Sequence, residues 1–263
     1  MRSVRPAIRG ACVIAAVAGA ACAHGGSTAP RGQSPSAPSP AAPAARTAGG
    51  PIDTAGLPRV RFARGTTSGI LEDSLMAGAT RSYLVGARLG QVMLAHAIAW
   101  PVAERLHPPP EPVVRVFAAA TGSELPSPRA EPEVWSARLP EDGDYVVRVT
   151  AADRTTYTLA VQIPREVTVS AAQPTAIFTG VTPSRAPIDY LIRAEAGRTL
   201  EVVLGGGPAL GLHVYGLADG VQLARLADRQ RLYAGRLLTS QDYVVSVVPA
   251  AERAPYDLRI TLR

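Results

Sequence analysis

Leu139-Pro140-Glu141-Asp142-Gly143-Asp144-Tyr145-Val146-Val147-Arg148-Val149 is a turn that empties into a strand. Proline, aspartate and glycine supply the turn geometry. Tyr145, Val147 and Val149 then alternate on one side, the period-2 pattern of a half-buried β-strand. The same order returns later as Leu237-Leu238-Thr239-Ser240-Gln241-Asp242-Tyr243-Val244-Val245-Ser246-Val247. An Asp-Tyr-Val-Val core near the end of each half reads as one β module written twice.

Working outward, the match extends over most of both halves. Tyr83-Leu84-Val85, Ala87 and Gly90 align with Tyr190-Leu191-Ile192, Ala194 and Gly197 at a shift of 107. Val116, Phe117, Gly122 and Leu125 align with Val214, Tyr215, Gly220 and Leu223 at a shift of 98. Trp135, Leu139 and Tyr145 keep that shift with Tyr233, Leu237 and Tyr243, and Tyr157, Leu159 and Val161 then meet Tyr256, Leu258 and Ile260. The fall from 107 to 98 leaves nine extra residues in the first half, between His96 and Arg115, which is the Trp100 to Pro112 loop. Arg59 to Ala63 alternates like a half-buried strand, and Val92, Leu94, His96 and Ile98 share one face of another. Turn residues recur at intervals of roughly 8–12, the spacing of an antiparallel sandwich or barrel. The expected fold is all-β: two tandem antiparallel β-sandwich (jelly-roll-like) modules, 58–164 and 165–263, after a signal peptide, 1–22, and a disordered Ala/Pro/Ser-rich linker, 23–57.

Arg2, Arg5 and Arg9 precede a short uncharged stretch from Gly10 to Ala21, the layout of an export signal. That stretch is shorter than the roughly 20 apolar residues needed to span a bilayer. Two cleavage readings are open at its end. Gly19-Ala20-Ala21-Cys22 resembles a bacterial lipobox, with Gly19 where a larger aliphatic is usual, and implies lipidation of Cys22. Ala21-Cys22-Ala23 also fits the small-x-small site of the ordinary signal peptidase. The following Ala/Pro/Ser stretch has too little apolar surface to offset the entropy of ordering, and its prolines keep it extended. The chain contains no lysine and no asparagine. Its net charge of +6 falls to +3 once those three signal arginines are subtracted. The remaining charges are well mixed, which excludes the clustered basic patch of a nucleic-acid binder. The other cysteine, Cys12, lies in the signal, so the folded part has neither disulfide nor thiol.

One family resemblance rests on the order of these motifs. Val60-Arg61-Phe62 with Gly65 and Ser68 comes first, then Thr80 and Tyr83 in a strand ending at Gly90-Gln91. Val114, Val116 and Phe117, then Leu139-Pro140 with Gly143, Tyr145, Arg148 and Val149, and finally Tyr157, Leu159, Val161 and Ile163 complete it. The pattern resembles the bacterial pre-peptidase C-terminal (PPC) β-sandwich and the related periplasmic inhibitors of goose-type lysozyme. The resemblance covers Arg59 to Ile163 and extends more weakly over the second half, which has no counterpart of Arg61 to Gly65. It implies a fold; the matched residues are turn formers and core residues, and a fold does not name an activity.

Catalytic chemistry has few supports. No lysine can form a Schiff base or a phosphate loop. Gly65-Thr66-Thr67-Ser68-Gly69 puts its serine one place off the nucleophile-elbow pattern, and Gly205-Gly206-Gly207 lacks the later glycine of a dinucleotide loop. His24, His96, His107 and His213 show no metal-ligand spacing. Glu141-Asp142-Gly143-Asp144 offers few of the six or more oxygens calcium takes, and its counterpart Thr239 to Asp242 has lost most of the acids. No catalytic residue, metal or cofactor is expected. The candidate contact residues are Trp100, Arg105 and His107, types common at protein contacts, on a loop stiffened by Pro108-Pro109-Pro110. The alternative is that Trp100 caps the core and the loop is a tolerated insertion. The expected function is a non-catalytic, exported binding protein of the cell envelope, lipid-anchored, with a protein partner (a lysozyme or other hydrolase) or a glycan. The concrete version is a lysozyme inhibitor acting by loop insertion; the alternative is an accessory spacer or glycan-binding module. Under the lipobox reading, labelled palmitate enters the wild-type chain in a bacterial host and not the Cys22→Ala variant; under the other reading neither takes label.

Overall fold

The computed structural model describes residues 49–64, 66–100, 110–128, 133–183, 186–225, 228, 230–250 and 253–263. The expected signal peptide, Cys22 and the first part of the expected linker lie outside them. All described residues belong to one compact unit, Ala45–Arg263. The first half of that unit contains β1 (Ser68–Leu75), β2 (Thr80–Ala87), β3 (Val92–Ala99), β4 (Val113–Ala118), β5 (Glu124–Leu125), β6 (Val134–Arg138), β7 (Gly143–Thr150) and β8 (Thr155–Gln162). The second half contains β9 (Arg165–Val167), β10 (Thr175–Val181), β11 (Ile188–Ala194), β12 (Thr199–Gly206), β13 (Leu210–Gly216), β14 (Gln222–Ala224), β15 (Leu232–Arg236), β16 (Gln241–Pro249) and β17 (Pro255–Leu262). The fold is all-β, as its alternating pattern predicts, and no described helix is long and apolar enough to cross a membrane.

The strands form four sheets. Sheet I has the order β2-β7-β4-β5 and sheet II the order β1-β8-β3-β6; sheet III runs β14-β13-β16-β11-β9 and sheet IV β10-β17-β12-β15. Leaving β9 aside, each half follows the eight-strand jelly-roll order, two antiparallel sheets linked by Greek-key connections. The parallel contact at the edge also recurs: Arg59 bridges Leu84 in the first half, and β9 pairs Glu166 with Leu191 in the second.

Three apolar clusters define the layers. Tyr83, Val116, Tyr145 and Val147 of sheet I meet Met93, Trp135, Tyr157 and Leu159 of sheet II. Tyr190, Ile192, Val214 and Val245 of sheet III meet Leu200, Val202, Leu258 and Ile260 of sheet IV. Between these cores the outer faces of sheets II and III also pack: Val92 and Leu94 meet Leu191, Tyr215 and Val244. The order of layers is therefore I, II, III, IV, with three buried interfaces. Each fully buried aliphatic or aromatic side chain contributes on the order of 1.5–3 kcal/mol.

The matched tyrosines and glycines have matched jobs. Tyr145 Oη donates to Glu141 O at 2.7 Å, and Tyr243 Oη to Thr239 O at 2.6 Å, each pinning the turn before its own strand. The hydroxyls of Tyr83 and Tyr157 lie 2.5 Å apart across one core, and those of Tyr190 and Tyr256 lie 2.6 Å apart across the other. Burial, and then the hydroxyl partner, push Tyr83 and Tyr190 well above the ordinary tyrosine range, so these remain neutral hydrogen-bonding groups. Gly90 and Gly197 adopt φ of 77° and 88° and donate to Leu139 O and Leu237 O. A side chain is disfavoured at such φ, so the turn selects glycine.

Two expectations change. Arg59 to Ala63 is not a strand: only the bridge at Arg59 forms, while Val60 fills the space beside Gly69, where an added Cβ would lie 2.4 Å from Val60 Cγ1. Residues 49–57, which composition assigns to the linker, pack on the outer face of sheet I. There Ile52 and Leu57 cover Leu84, Ala119 and Val146, and the Ile52 N–H donates to Ala119 O at 2.9 Å. Two large apolar residues suffice to hold an otherwise polar segment against a sheet whose outer face offers matching apolar surface.

The seam between sheets II and III has a polar centre. His96 Nε2 lies 2.9 Å from Asp189 Oδ2, with the two side chains 7% and 0% exposed. Gln162 Nε2 donates to Pro187 O at 2.7 Å beside them. Removing one partner of such a buried pair typically costs about 3–5 kcal/mol, whereas replacing both by apolar groups costs much less. Asp189→Ala is therefore expected to lose stability on that scale in urea unfolding, and the double variant His96→Leu/Asp189→Leu to recover most of it.

Candidate functional site

The loop predicted to carry contacts starts from β3. At its root the Trp100 N–H donates to Thr156 O and its indole Nε1–H to Thr158 Oγ1, both at 2.8 Å, so the half-buried ring lies on β8. On the returning side Glu111 Oε2 accepts the Ala99 N–H at 3.0 Å, and Pro112 is buried. Trp100 is thus a clamp at the base of the loop. Arg105 and His107 lie outside the described residues.

The acidic turn is tied to the protein. Asp142 Oδ1 accepts the Leu89 N–H at 2.9 Å. Asp144 receives a two-pronged contact from Arg59, with Nη1 and Nη2 each 2.8 Å from a carboxylate oxygen. Such forked pairs are the stronger kind of charge-assisted bond. The Arg59 hydrogen bonds hold the Asp144 carboxyl below its ordinary value of 3.8, against a smaller opposing effect of burial. The stability this contributes is present above the unfolded carboxylate pKa and lost as pH falls through the lowered folded value.

A groove of about 480 Å³ opens along the rim of the seam. Arg138 from β6, Arg193 from β11 and Asp242 from β16 line both this groove and an adjoining hollow of about 330 Å³. Arg138 Nη2 donates to Asp242 Oδ2 at 2.5 Å, and Arg138 Nη1 to Gly90 O. Arg193 Nη1 reaches Asp242 Oδ1 at 3.5 Å with its side chain 71% exposed. Glu166, Glu195 and Arg198 complete a lining with charges of both signs. Thr168 and Ser170 add hydroxyls, and such a surface suits an extended polar chain.

Sequence reasoning did not find Asp189, Arg138 or Asp242. A signal was available in part. Val92, Leu94 and His96 put a largely apolar row on the outward side of β3, where a water-facing strand carries polar residues. His213 packs beside Tyr215 with ring centroids 5.3 Å apart. Among the described residues no group of three or more His, Cys, Asp or Glu side chains is placed to hold a metal ion.

No protein-family model matches the chain, and no curated protein matches it. Among solved structures it is similar to a periplasmic inhibitor of g-type lysozyme, PliG, of Aeromonas hydrophila, at 19% identity and TM-score 0.33, over 38% of this chain and 96% of that one. It is similar to PliG of Salmonella Typhimurium at 19% identity and TM-score 0.31, over 37% and 96%. It is also similar to the CUB1-EGF-CUB2 domain of human MASP-1/3 at 10% identity and TM-score 0.26, over 75% and 100%.

The Arg59–Asp144 fork ties the end of the segment 49–59 to sheet I. In Asp144→Asn at neutral pH, and in the wild type once pH has fallen through the lowered Asp144 value, the Ile52 and Val60 amides are expected to show smaller protection factors, each taken against the unprotected rate at the same pH, than in the wild type at pH 6.

Proposed function

We propose that this chain is a non-catalytic, exported binding protein of the cell envelope, anchored through Cys22 and acting on a lysozyme-like hydrolase through the loop at 101–110. The observation that carries this reading is the clamped base of that loop. With Trp100 fixed to Thr156 and Thr158, and Ala99 held by Glu111, both ends of an eleven-residue connection meet at one place on the sheet. A braced loop loses less entropy when it enters a cleft, which favours an inhibitor. Arg105 and His107, which lie in the sequence between these two ends, are its contact residues in this reading. The non-catalytic part of the reading is supported by the burial of His96 against Asp189, out of reach of a substrate, together with the lack of lysine. Each jelly roll, 58–164 and 165–263, forms one domain in this reading.

The groove at Arg138, Arg193 and Asp242 favours a second reading, an accessory envelope module that takes a glycan or another extended chain along the seam. Titration of goose-type lysozyme with the purified protein separates the two. Stoichiometric loss of activity is expected for an inhibitor, and no loss at excess protein rejects it. Replacing residues 101–110 by a short Gly-Ser linker, with Trp100, Glu111 and Pro112 retained, is expected to abolish inhibition while leaving the melting temperature nearly unchanged.

A further inference from the structure

Strand β10 is an edge of sheet IV, and its residues are Thr175-Ala176-Ile177-Phe178-Thr179-Gly180-Val181. The direction of its backbone groups follows from its two ends. Pro174 O accepts the Leu262 N–H, and the Thr182 N–H donates to Ala254 O, so the even-numbered positions turn toward β17. Backbone direction alternates along a strand. Thr175, Ile177, Thr179 and Val181 therefore turn their N–H and C=O groups to the free edge, and no described residue pairs with them. Their side chains lie on the outer face of sheet IV, where Ile177 is 68% and Val181 50% exposed.

The other edges are short or guarded. β1 carries Glu72 and Asp73 in its middle, β6 ends in Arg138 and β15 in Arg236. β2 contains Arg81 and is bridged by Arg59, while β5, β9 and β14 have three residues or fewer. Charged residues and short length are the usual means of keeping an edge from pairing. Among the described residues, β10 is the one edge longer than three residues that carries no charge. Pro174 and Pro183 bracket it and confine pairing to this stretch.

We propose that β10 is a pairing edge for a second copy of this chain, joined antiparallel about a two-fold axis through Phe178. Ile177 then lies opposite Thr179 of the second copy and Thr175 opposite Val181, so all four outward-turned residues find backbone partners. The charge pattern next door fits this occupant. Arg259 on β17 sits beside Ile177 and Asp257 beside Thr179. Across the joint each row therefore runs from Arg259 of one copy to Asp257 of the other, and no like charges face. The same patch meets itself, so the contact closes as a dimer. At the far edge of sheet IV, β15 has five residues and ends in Arg236, which opposes growth into a longer sheet.

The test is sedimentation equilibrium over a wide concentration range on the exported chain, with Cys22→Ala so that no lipid holds copies together. A reversible dimer is expected. Ile177→Lys, which adds an edge charge, and Thr179→Pro, which removes an N–H that β17 does not use, are expected to be monomeric. Leu238→Lys, at a loop residue 89% exposed, is expected to dimerise like the parent. Circular dichroism melting checks that each variant folds. If both edge variants fail to fold, hydrogen exchange of the parent decides, since the Ile177 and Thr179 amides must slow with rising concentration. A parent that is monomeric throughout, a dimer retained by both folded edge variants, or exchange independent of concentration overturns the proposal.

Discussion

The buried seam between sheets II and III is the constraint on which the rest of the molecule depends. An antiparallel sandwich ordinarily keeps its outer faces in water. Here two such faces are withdrawn from it, with Val92 and Leu94 on one side and Leu191, Tyr215 and Val244 on the other. His96 and Asp189 sit within that interface at 5% and 2% exposure. A polar group buried so deeply is costly without a partner, so the one contact that His96 makes with Asp189 Oδ2 favours few relative placements of the two faces. The groove at the rim is a consequence. Arg193 and Asp242 sit side by side on β11 and β16 of sheet III, and Arg138 reaches Asp242 from sheet II because the seam closes beneath them.

Within each half the architecture rests on tyrosine. Six buried tyrosine rings lie in the two cores, and four of them pair their hydroxyls across a core: Tyr83 with Tyr157 and Tyr190 with Tyr256. Tyr145 and Tyr243 instead reach back to the turns that precede them. A ring adds apolar burial and its hydroxyl adds a directed bond, so one residue type both fills a core and sets its register. Backbone ladders tie the strands within each sheet, and the paired hydroxyls add directed bonds between the two sheets of each sandwich.

The quoted stretch from Leu139 to Val149 shows how far sequence reasoning reaches. Its strand and turn were legible, because alternation and turn chemistry are local. The use of Asp144 was not, since its partner Arg59 lies 85 residues away. Trp100 shows the same division. Its position at the edge of an insertion was visible, but the capture of its indole by Thr158, 58 residues on, was not. Composition placed residues 49–57 in a linker because it averages over a window. Ile52 and Leu57 act individually, on a face that exists only once sheet I has formed.

By itself the sequence determined the all-β class, the positions of most strands and the matched turn glycines, all properties of residues within a few positions of one another. Tertiary structure decided which outer faces are covered, which edge is left open, and which charged groups meet. The physical reason lies in what a period-2 pattern encodes. It states that a strand has an apolar face, and it is silent on whether the other face meets water or another sheet. His96 and Asp189, 93 residues apart in the chain, become partners only when the second jelly roll stacks on the first.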